Sequence, residues 1–190
     1  MTSVQKHMTA AVALGGNSPW SGKGPVATLI SALSRLSEEF GVLAVSRFYR
    51  TPAFPPGSGP DFINAAALIR AEATPADILG ALHRIEADHG RVRDTRWGPR
   101  TLDIDLLFVG NQTLPDRYSH EEWVALSLAE QQLRIPESLI LPHPRLQDRG
   151  FVLVPLSEIA PGWRHPVTGR TVAAMKAALP EAEKAAISPV

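Results

Sequence analysis

The chain contains no cysteine, which excludes disulfides, thiolate nucleophiles and zinc-thiolate sites and fits a reducing compartment. It carries no net charge, with 19 acidic side chains against 19 basic ones. A nucleic-acid binder ordinarily shows a basic domain or stripe, so the balance argues against that class of partner. Long apolar runs are missing too: none approaches the roughly 20 residues that span a bilayer, and Met1 to His7 lacks the apolar centre of a signal peptide. The six histidines include no His-Glu-x-x-His spacing. A cytoplasmic protein with neither a membrane nor a nucleic-acid partner is expected.

What is present fits an ordinary globular domain. The 190 residues are 44% hydrophobic and 20% charged, enough to bury one substantial core. A single domain is expected over residues 9–180, with 1–8 and 181–190 as flexible tails. Ala10 to Leu14 reads as a buried strand opening into a Gly15-Gly16-Asn17 loop, and Pro25 to Phe40 carries a helical period stopped by Gly41. Val42 to Tyr49 and Phe62 to Ala71 read as two further strands. The proline-rich connector between them can be neither helix nor central strand. Thr74-Pro75 looks like an N-cap followed by proline at the first helical position, and the apolar stripe after it runs to about His89, with Gly90 as the stop. Residues 115–136 are polar and irregular, with Glu121 to Leu133 as a candidate short amphipathic helix. Phe151 to Ile159 is a short apolar element, and Val172 to Leu179 a terminal helix. The order β-α-β-β-α-β predicts an α+β sandwich of the ferredoxin-like kind, an antiparallel sheet covered by two helices, with extra C-terminal elements.

The densest chemistry lies between these elements. Arg91 to Arg100 holds four arginines and runs into Thr101-Leu102-Asp103-Ile104-Asp105-Leu106. On a strand, Asp103 and Asp105 share one face and Leu102, Ile104 and Leu106 the other, so the aspartates are expected on a face free of core. Two like charges on one strand face repel and call for compensation. A hard divalent cation shared with substrate phosphates would supply it, beside an arginine clamp for anions. The same pattern is also compatible with a half-exposed acidic strand next to a solvated arginine loop.

Several motifs in order remove that ambiguity. Arg96-Trp97-Gly98-Pro99-Arg100-Thr101-Leu102-Asp103-Ile104-Asp105 closely resembles the signature of the 6-hydroxymethyl-7,8-dihydropterin pyrophosphokinase family of folate biosynthesis. Leu14-Gly15-Gly16-Asn17, Phe48-Tyr49-Arg50-Thr51-Pro52, Asp61-Phe62-Ile63-Asn64-Ala65-Ala66, Pro142-His143-Pro144 and Arg149-Gly150-Phe151 are similar to further family motifs, so the resemblance spans roughly residues 10 to 165.

The resemblance implies transfer of pyrophosphate from ATP to the pterin hydroxymethyl group, with AMP as the other product. It implies Asp103 and Asp105 as ligands of two Mg²⁺ ions, Asp103 also facing the pterin. Arg91 and Arg93 fall on a loop that closes over ATP, Arg100 nearer the phosphates, and Arg96 and Trp97 complete that loop, Trp97 capping both substrates. His83, Glu86, Leu106, His143 and Arg149 match other ATP-site positions. Phe62 and Phe151 are expected to stack on the pterin, Asn64 to hydrogen-bond it, and Thr51, Pro52 and Phe54 to wall it. A monomer or weak dimer acting on these small molecules is expected.

The sequence also departs from the family. Phe62 stands where a tyrosine is common and His83 where many relatives carry glutamine. Ser138 and Ile140 fall where some relatives use an arginine and a threonine near the ATP, and extra residues occur around Arg117 to Ile135, including Trp123, where shorter relatives turn directly. Two other classes use similar parts: a ferredoxin-like RNA-binding module, which would want strand aromatics and a basic face, and a Mg²⁺-dependent nucleotidyltransferase, which attacks the α-phosphorus. Products separate them: AMP for pyrophosphoryl transfer, free pyrophosphate for nucleotidyl transfer, neither for a binding module.

Overall fold

The computed structural model describes residues 8–53, 57, 59–91 and 100–190. Phe54, Arg93, Arg96 and Trp97, all expected in the site, lie outside the described residues.

Ala10 to Leu14 forms the middle of β1 (Met8–Gly16), which pairs antiparallel with β4 (Phe62–Ala71) on one side and β5 (Asp103–Val109) on the other. β2 (Val42–Val45) and β3 (Tyr49–Thr51) both pair antiparallel with β4. The region expected as one strand from Val42 to Tyr49 is therefore split. Ser46 makes the break: its backbone N–H donates to Ala66 O at 2.9 Å while its hydroxyl accepts from Ala66 N at 2.9 Å. The side chain takes over a ladder position that the backbone leaves.

Helix α1 (Pro25–Phe40) and helix α2 (Pro75–Asp88) pack on one face, where Leu29, Leu36, Ile78, Leu82 and Ile85 meet Val12, Leu14, Ile69, Ile104 and Leu106. Both helices begin with proline in their first turn, and Thr74 caps α2 by accepting from Asp77 N at 3.2 Å. The two-helix cover expected from sequence is incomplete. A second core lies on the opposite face, where α5 (Gly150–Ile159) and α6 (Val172–Ala177) bury Ala11, Ala13, Ala66, Leu107 and Phe108. β1 and β4 are apolar on both faces, and such strands require cover on both. A register shift between Ala11 and Val12 leaves Leu107 as the extra residue on β5, so Leu107 and Phe108 both enter the second core. The aspartate face is thus free of core only at its Asp103–Asp105 end.

The segment expected as one amphipathic helix forms two. Asp116 caps α3 (Arg117–Ala125), accepting from Ser119 N at 2.9 Å, and Ser127 opens α4 (Leu128–Leu133) with a reciprocal capping box to Glu130. Residues 181–190, expected as a tail, form α7 (Glu181–Ala185) and the two-residue β6 (Ser188–Pro189), which pairs with β3 at the sheet edge. Glu183 accepts a 2.7 Å hydrogen bond from Gly150 N, tying α7 to the start of α5. Among the described residues no helix is long and apolar enough to cross a membrane.

Between α3 and the C-terminal elements lies an aromatic stack. Phe108 and Trp163 stack at 4.0 Å, and His165, fully buried, meets Trp163 edge-on at 5.8 Å. Burial, reinforced by His120 nearby, lowers the His165 pKa from its ordinary 6.5 to about 4. Between these values the unfolded chain binds more protons than the folded one. Stability should therefore be fully present above about pH 6.5 and fall as pH drops toward 4. Melting temperatures from about pH 8 to about pH 4 should show this slope, and His165→Asn, which keeps an acceptor but cannot titrate, should reduce it, the remainder coming from His120 and His143, whose pKa values burial also lowers. An identical slope in both proteins would assign the effect to other groups.

Candidate active site

The sheet brings the sequence motifs into rows. Gly15 pairs with Asp103 on one side and Asn64 on the other, and Asn64 in turn pairs with Tyr49. Ala13 likewise separates Asp105 from Ala66. Directly paired residues share a face, so the two carboxylates and Asn64 look out from one side of the sheet, about 10 Å apart across two strand spacings. Glycines on β1 let their neighbours approach the strand closely. A Cβ at Gly15 would sit 2.8 Å from Asn64 Oδ1, and a Cβ at Gly16 would sit 2.5 Å from Thr101 O.

Arginines from three segments converge on the aspartates. Arg91 Nη1 lies 2.6 Å from Asp103 Oδ1, Arg100 Nη1 bonds the other Asp103 oxygen, and Arg149 Nη1 donates to Asp105 Oδ2 at 3.0 Å. Glu86, only 1% exposed, is the anchor: its Oε1 accepts from Ile104 N at 2.7 Å and from Arg91 Nη1. Gly90, at φ +74°, turns the chain at the end of α2 so that Arg91 N also reaches Glu86 O at 3.1 Å. Glu86, matched to an ATP-site position, thus contacts Arg91 and the β5 backbone.

Arg100 is held by its backbone as well. Asn17 N and Ser18 N donate to Arg100 O at 2.9 and 3.1 Å, Arg100 N donates to Asn17 Oδ1 at 2.9 Å, and Asn17 Nδ2 donates to Pro60 O at 3.1 Å. Asn17 therefore ties the glycine loop, the proline-rich connector and the arginine segment together. Sequence reading marked only its motif, although an asparagine after paired glycines at a strand end is a signal for side-chain to backbone bonding.

The electrostatics divide the two carboxyls. Burial raises the Asp103 pKa, with Asp105 adding to the rise and Arg100 and Arg91 opposing it. Burial pushes Asp105 upward too, but His143, Arg149, Arg100 and Arg91 outweigh it and hold the group below the ordinary carboxylate range. His143 is kept neutral, at about 4, by burial together with Arg149 and Arg145, against the pull of Asp105. Its Nδ1 accepts from Arg145 N at 3.0 Å, so the neutral ring carries its proton on Nε2.

On the Asn64 side, Asn64 Nδ2 donates to Thr51 Oγ1 at 2.7 Å, and both residues are buried. Phe62 pairs with Thr51 one row beyond and is half-buried, Pro52 is exposed, and Phe151 is 38% exposed with the Arg149 guanidinium 5.6 Å from its ring. His83 is exposed on α2. Leu106, matched to an ATP-site position, has its side chain buried among the α1–α2 core on the opposite face, which leaves only its backbone toward the aspartate side.

The carboxylate oxygens of Asp103 and Asp105 form a hard donor set that suits Mg²⁺. Among the described residues no group of three or more His, Cys, Asp or Glu side chains could hold a metal ion. A cation here would thus draw its remaining ligands from phosphate and water.

The model of the 7,8-dihydro-6-hydroxymethylpterin-pyrophosphokinase family matches residues 11–161. The chain belongs to this family. Relatives named 2-amino-4-hydroxy-6-hydroxymethyldihydropteridine pyrophosphokinase include one from Synechocystis, 40% identical over 86% of this chain and 72% of its own length. Another, from Pseudomonas aeruginosa, is 38% identical over 89% of this chain and 90% of its own. Among solved structures, the wild-type HPPK-DHPS of Plasmodium falciparum matches with a TM-score of 0.62 at 14% identity, covering 93% of this chain and 45% of that one. This pyrophosphokinase-family chain therefore spans less than half of that longer protein, and the likeness bears on fold.

Gly16→Ala should destabilise the protein by about 1–3 kcal/mol in urea unfolding, because the new Cβ meets backbone rather than a movable side chain. Gly162→Ala, with nothing within 4 Å of its Cβ position, is the control. Equal stability of the two variants would contradict the close approach of the glycine loop to Thr101.

Proposed function

We propose that this chain transfers pyrophosphate from ATP to the hydroxymethyl oxygen of 6-hydroxymethyl-7,8-dihydropterin, yielding AMP and the pterin diphosphate in folate biosynthesis. The observation that carries this reading is the row Asp103, Gly15, Asn64, which sets a charged end and a polar-aromatic end on one face of the sheet with only a glycine between them. Family membership and named relatives at 37 to 40% identity support it.

The hydroxymethyl oxygen attacks the β-phosphorus, and the bond from that phosphorus to the oxygen it shares with the α-phosphate breaks. No protein nucleophile is needed, so catalysis consists of positioning and charge stabilisation. Asp103 and Asp105 are the protein ligands for Mg²⁺, two ions in our reading, whose chemistry here is to screen the phosphates and polarise the attacking hydroxyl. Arg91, Arg100 and Arg149 turn planar donors from the aspartates toward phosphate oxygens. His143 offers its Nε2 proton to phosphate while staying neutral. Asn64 and Thr51 read the pterin edge, Phe62 and Phe151 flank its ring, and Pro52 walls it. A site that hydrogen-bonds a heterocycle rejects ligands that leave those buried groups unpaired. Arg93, Arg96, Trp97 and Phe54 are assigned to loop closure and the pterin wall from the family resemblance, and His83 to the nucleotide side.

The antiparallel order β5-β1-β4-β3, with α1 and α2 on one face, supports a ferredoxin-like description carrying an added helical layer. We place the enzyme in the cytoplasm as a monomer or weak dimer without a nucleic-acid partner, a reading supported by the absence of cysteine and the zero net charge.

Incubation with ATP, Mg²⁺ and the pterin should give AMP and pterin diphosphate in equal amounts by chromatography, and none with a chelator. Asp103→Ala and Asp105→Ala should each cut turnover by at least about a hundredfold, the scale on which a charge-stabilising group is missed. Release of free pyrophosphate instead would establish nucleotidyl transfer, and near-wild-type rates in both variants would remove the metal assignment.

A further inference from the structure

One side chain of the segment expected as an insertion relative to shorter relatives reaches the peptide that carries His143. His120 lies on α3, is 1% exposed, and its Nε2 lies 3.0 Å from the carbonyl oxygen of Pro142. That carbonyl belongs to the same peptide unit as His143 N, which donates to Leu107 O of β5 at 2.8 Å. The peptide carrying His143 is therefore clamped at both ends, by the inserted helix on one side and by the aspartate strand on the other. With Nδ1 of His143 already committed to Arg145 N, the orientation of that peptide decides where the His143 Nε2 proton points.

The protonation pattern supports a fixed His120. An acceptor carbonyl at Nε2 requires the proton there, which leaves His120 Nδ1 as a lone pair. His165 is the same tautomer with its other nitrogen engaged: its Nδ1 accepts from Val167 N at 3.2 Å and Thr168 N at 3.4 Å, so its proton is on Nε2. His120 Nδ1 and His165 Nε2 are both buried without a protein partner, one an acceptor and the other a donor, on rings 5.4 Å apart. A direct bond after a small shift, or one water between them, satisfies both and locks the His120 tautomer.

We propose that His120 is a positioning residue for the nucleotide site, through which helix α3 of the insertion fixes the Pro142–His143 peptide and thereby aims His143 at the ATP phosphates. The inference rests on the placement of His143 beside the nucleotide given above. It assigns the inserted segment a task within the reaction, in a chain where Ser138 and Ile140 fall where some relatives use an arginine and a threonine.

The test compares three variants of the full chain. His120→Leu removes the donor, His120→Asn keeps polarity at the Nδ1 position without reaching Pro142, and His120→Gln places an amide N–H near the Nε2 position. The Leu and Asn variants should raise KM for ATP about fivefold to tenfold, the scale of one lost buried hydrogen bond, with KM for the pterin changed by less than about twofold. His120→Gln should recover most of the loss. The His143 imidazole resonance of the ligand-free protein, assigned with His143→Ala, should shift or broaden in the Leu and Asn variants and return in Gln. If the Leu variant does not fold, the Asn variant decides. Unchanged ATP KM and His143 resonance in folded His120→Asn overturn the proposal, and so does an equal rise in both KM values, which marks a general structural role. A moved resonance with unchanged ATP KM upholds the brace and instead removes His143 from the phosphates, an outcome that His143→Ala reports separately.

Discussion

Two carboxylates two residues apart on one face of β5 are an arrangement that a protein cannot leave alone. Their mutual repulsion and partial burial both favour protonation, and the surroundings answer with three arginines drawn from different parts of the chain. Arg91 comes from the end of α2, Arg100 from the loop before β5, and Arg149 from the turn before α5. Each must be placed by its own backbone. Hence Gly90 turns the chain beside Glu86, Asn17 fastens Arg100, and Glu183 holds the residue after Arg149. The charge problem of one strand thus accounts for contacts reaching from residue 17 to residue 183.

In the proposed reaction the same arrangement serves the substrates. Arginines that neutralise the aspartates in the ligand-free chain turn to phosphate oxygens, and the aspartates they leave are then available to cations. Charge is exchanged among partners rather than buried afresh. A low-lying His143 pKa fits this setting: a neutral donor adds a directed hydrogen bond without crowding the arginines.

Much of this was legible in the chain order of residues. Alternation put Asp103 and Asp105 together and Ile104 in the core, because strand side chains alternate whatever the surroundings. Proline and threonine marked the start of α2, and Gly90 its end, for reasons of local geometry. Other features were not legible. Ser46 breaks a strand only because Ala66 lies opposite it, and Leu107 and Phe108 enter the same core only because a register shift against β1 interrupts the alternation of β5. The second helical layer was visible as apolar segments, Phe151 to Ile159 and Val172 to Leu179, but their destination depended on β1 and β4 being apolar on both faces at once.

By itself, the sequence determined the chemistry: which side chains carry charge, which stacking rings are present, and which family the motifs resemble. Those properties are local to a few residues and survive without coordinates. Only the tertiary structure decided how they meet. Asn17 beside Arg100, Glu86 under Ile104, and His120 against Pro142 are separated by 83, 18 and 22 residues. Such pairings depend on strand register and helix packing, which no short window of sequence contains.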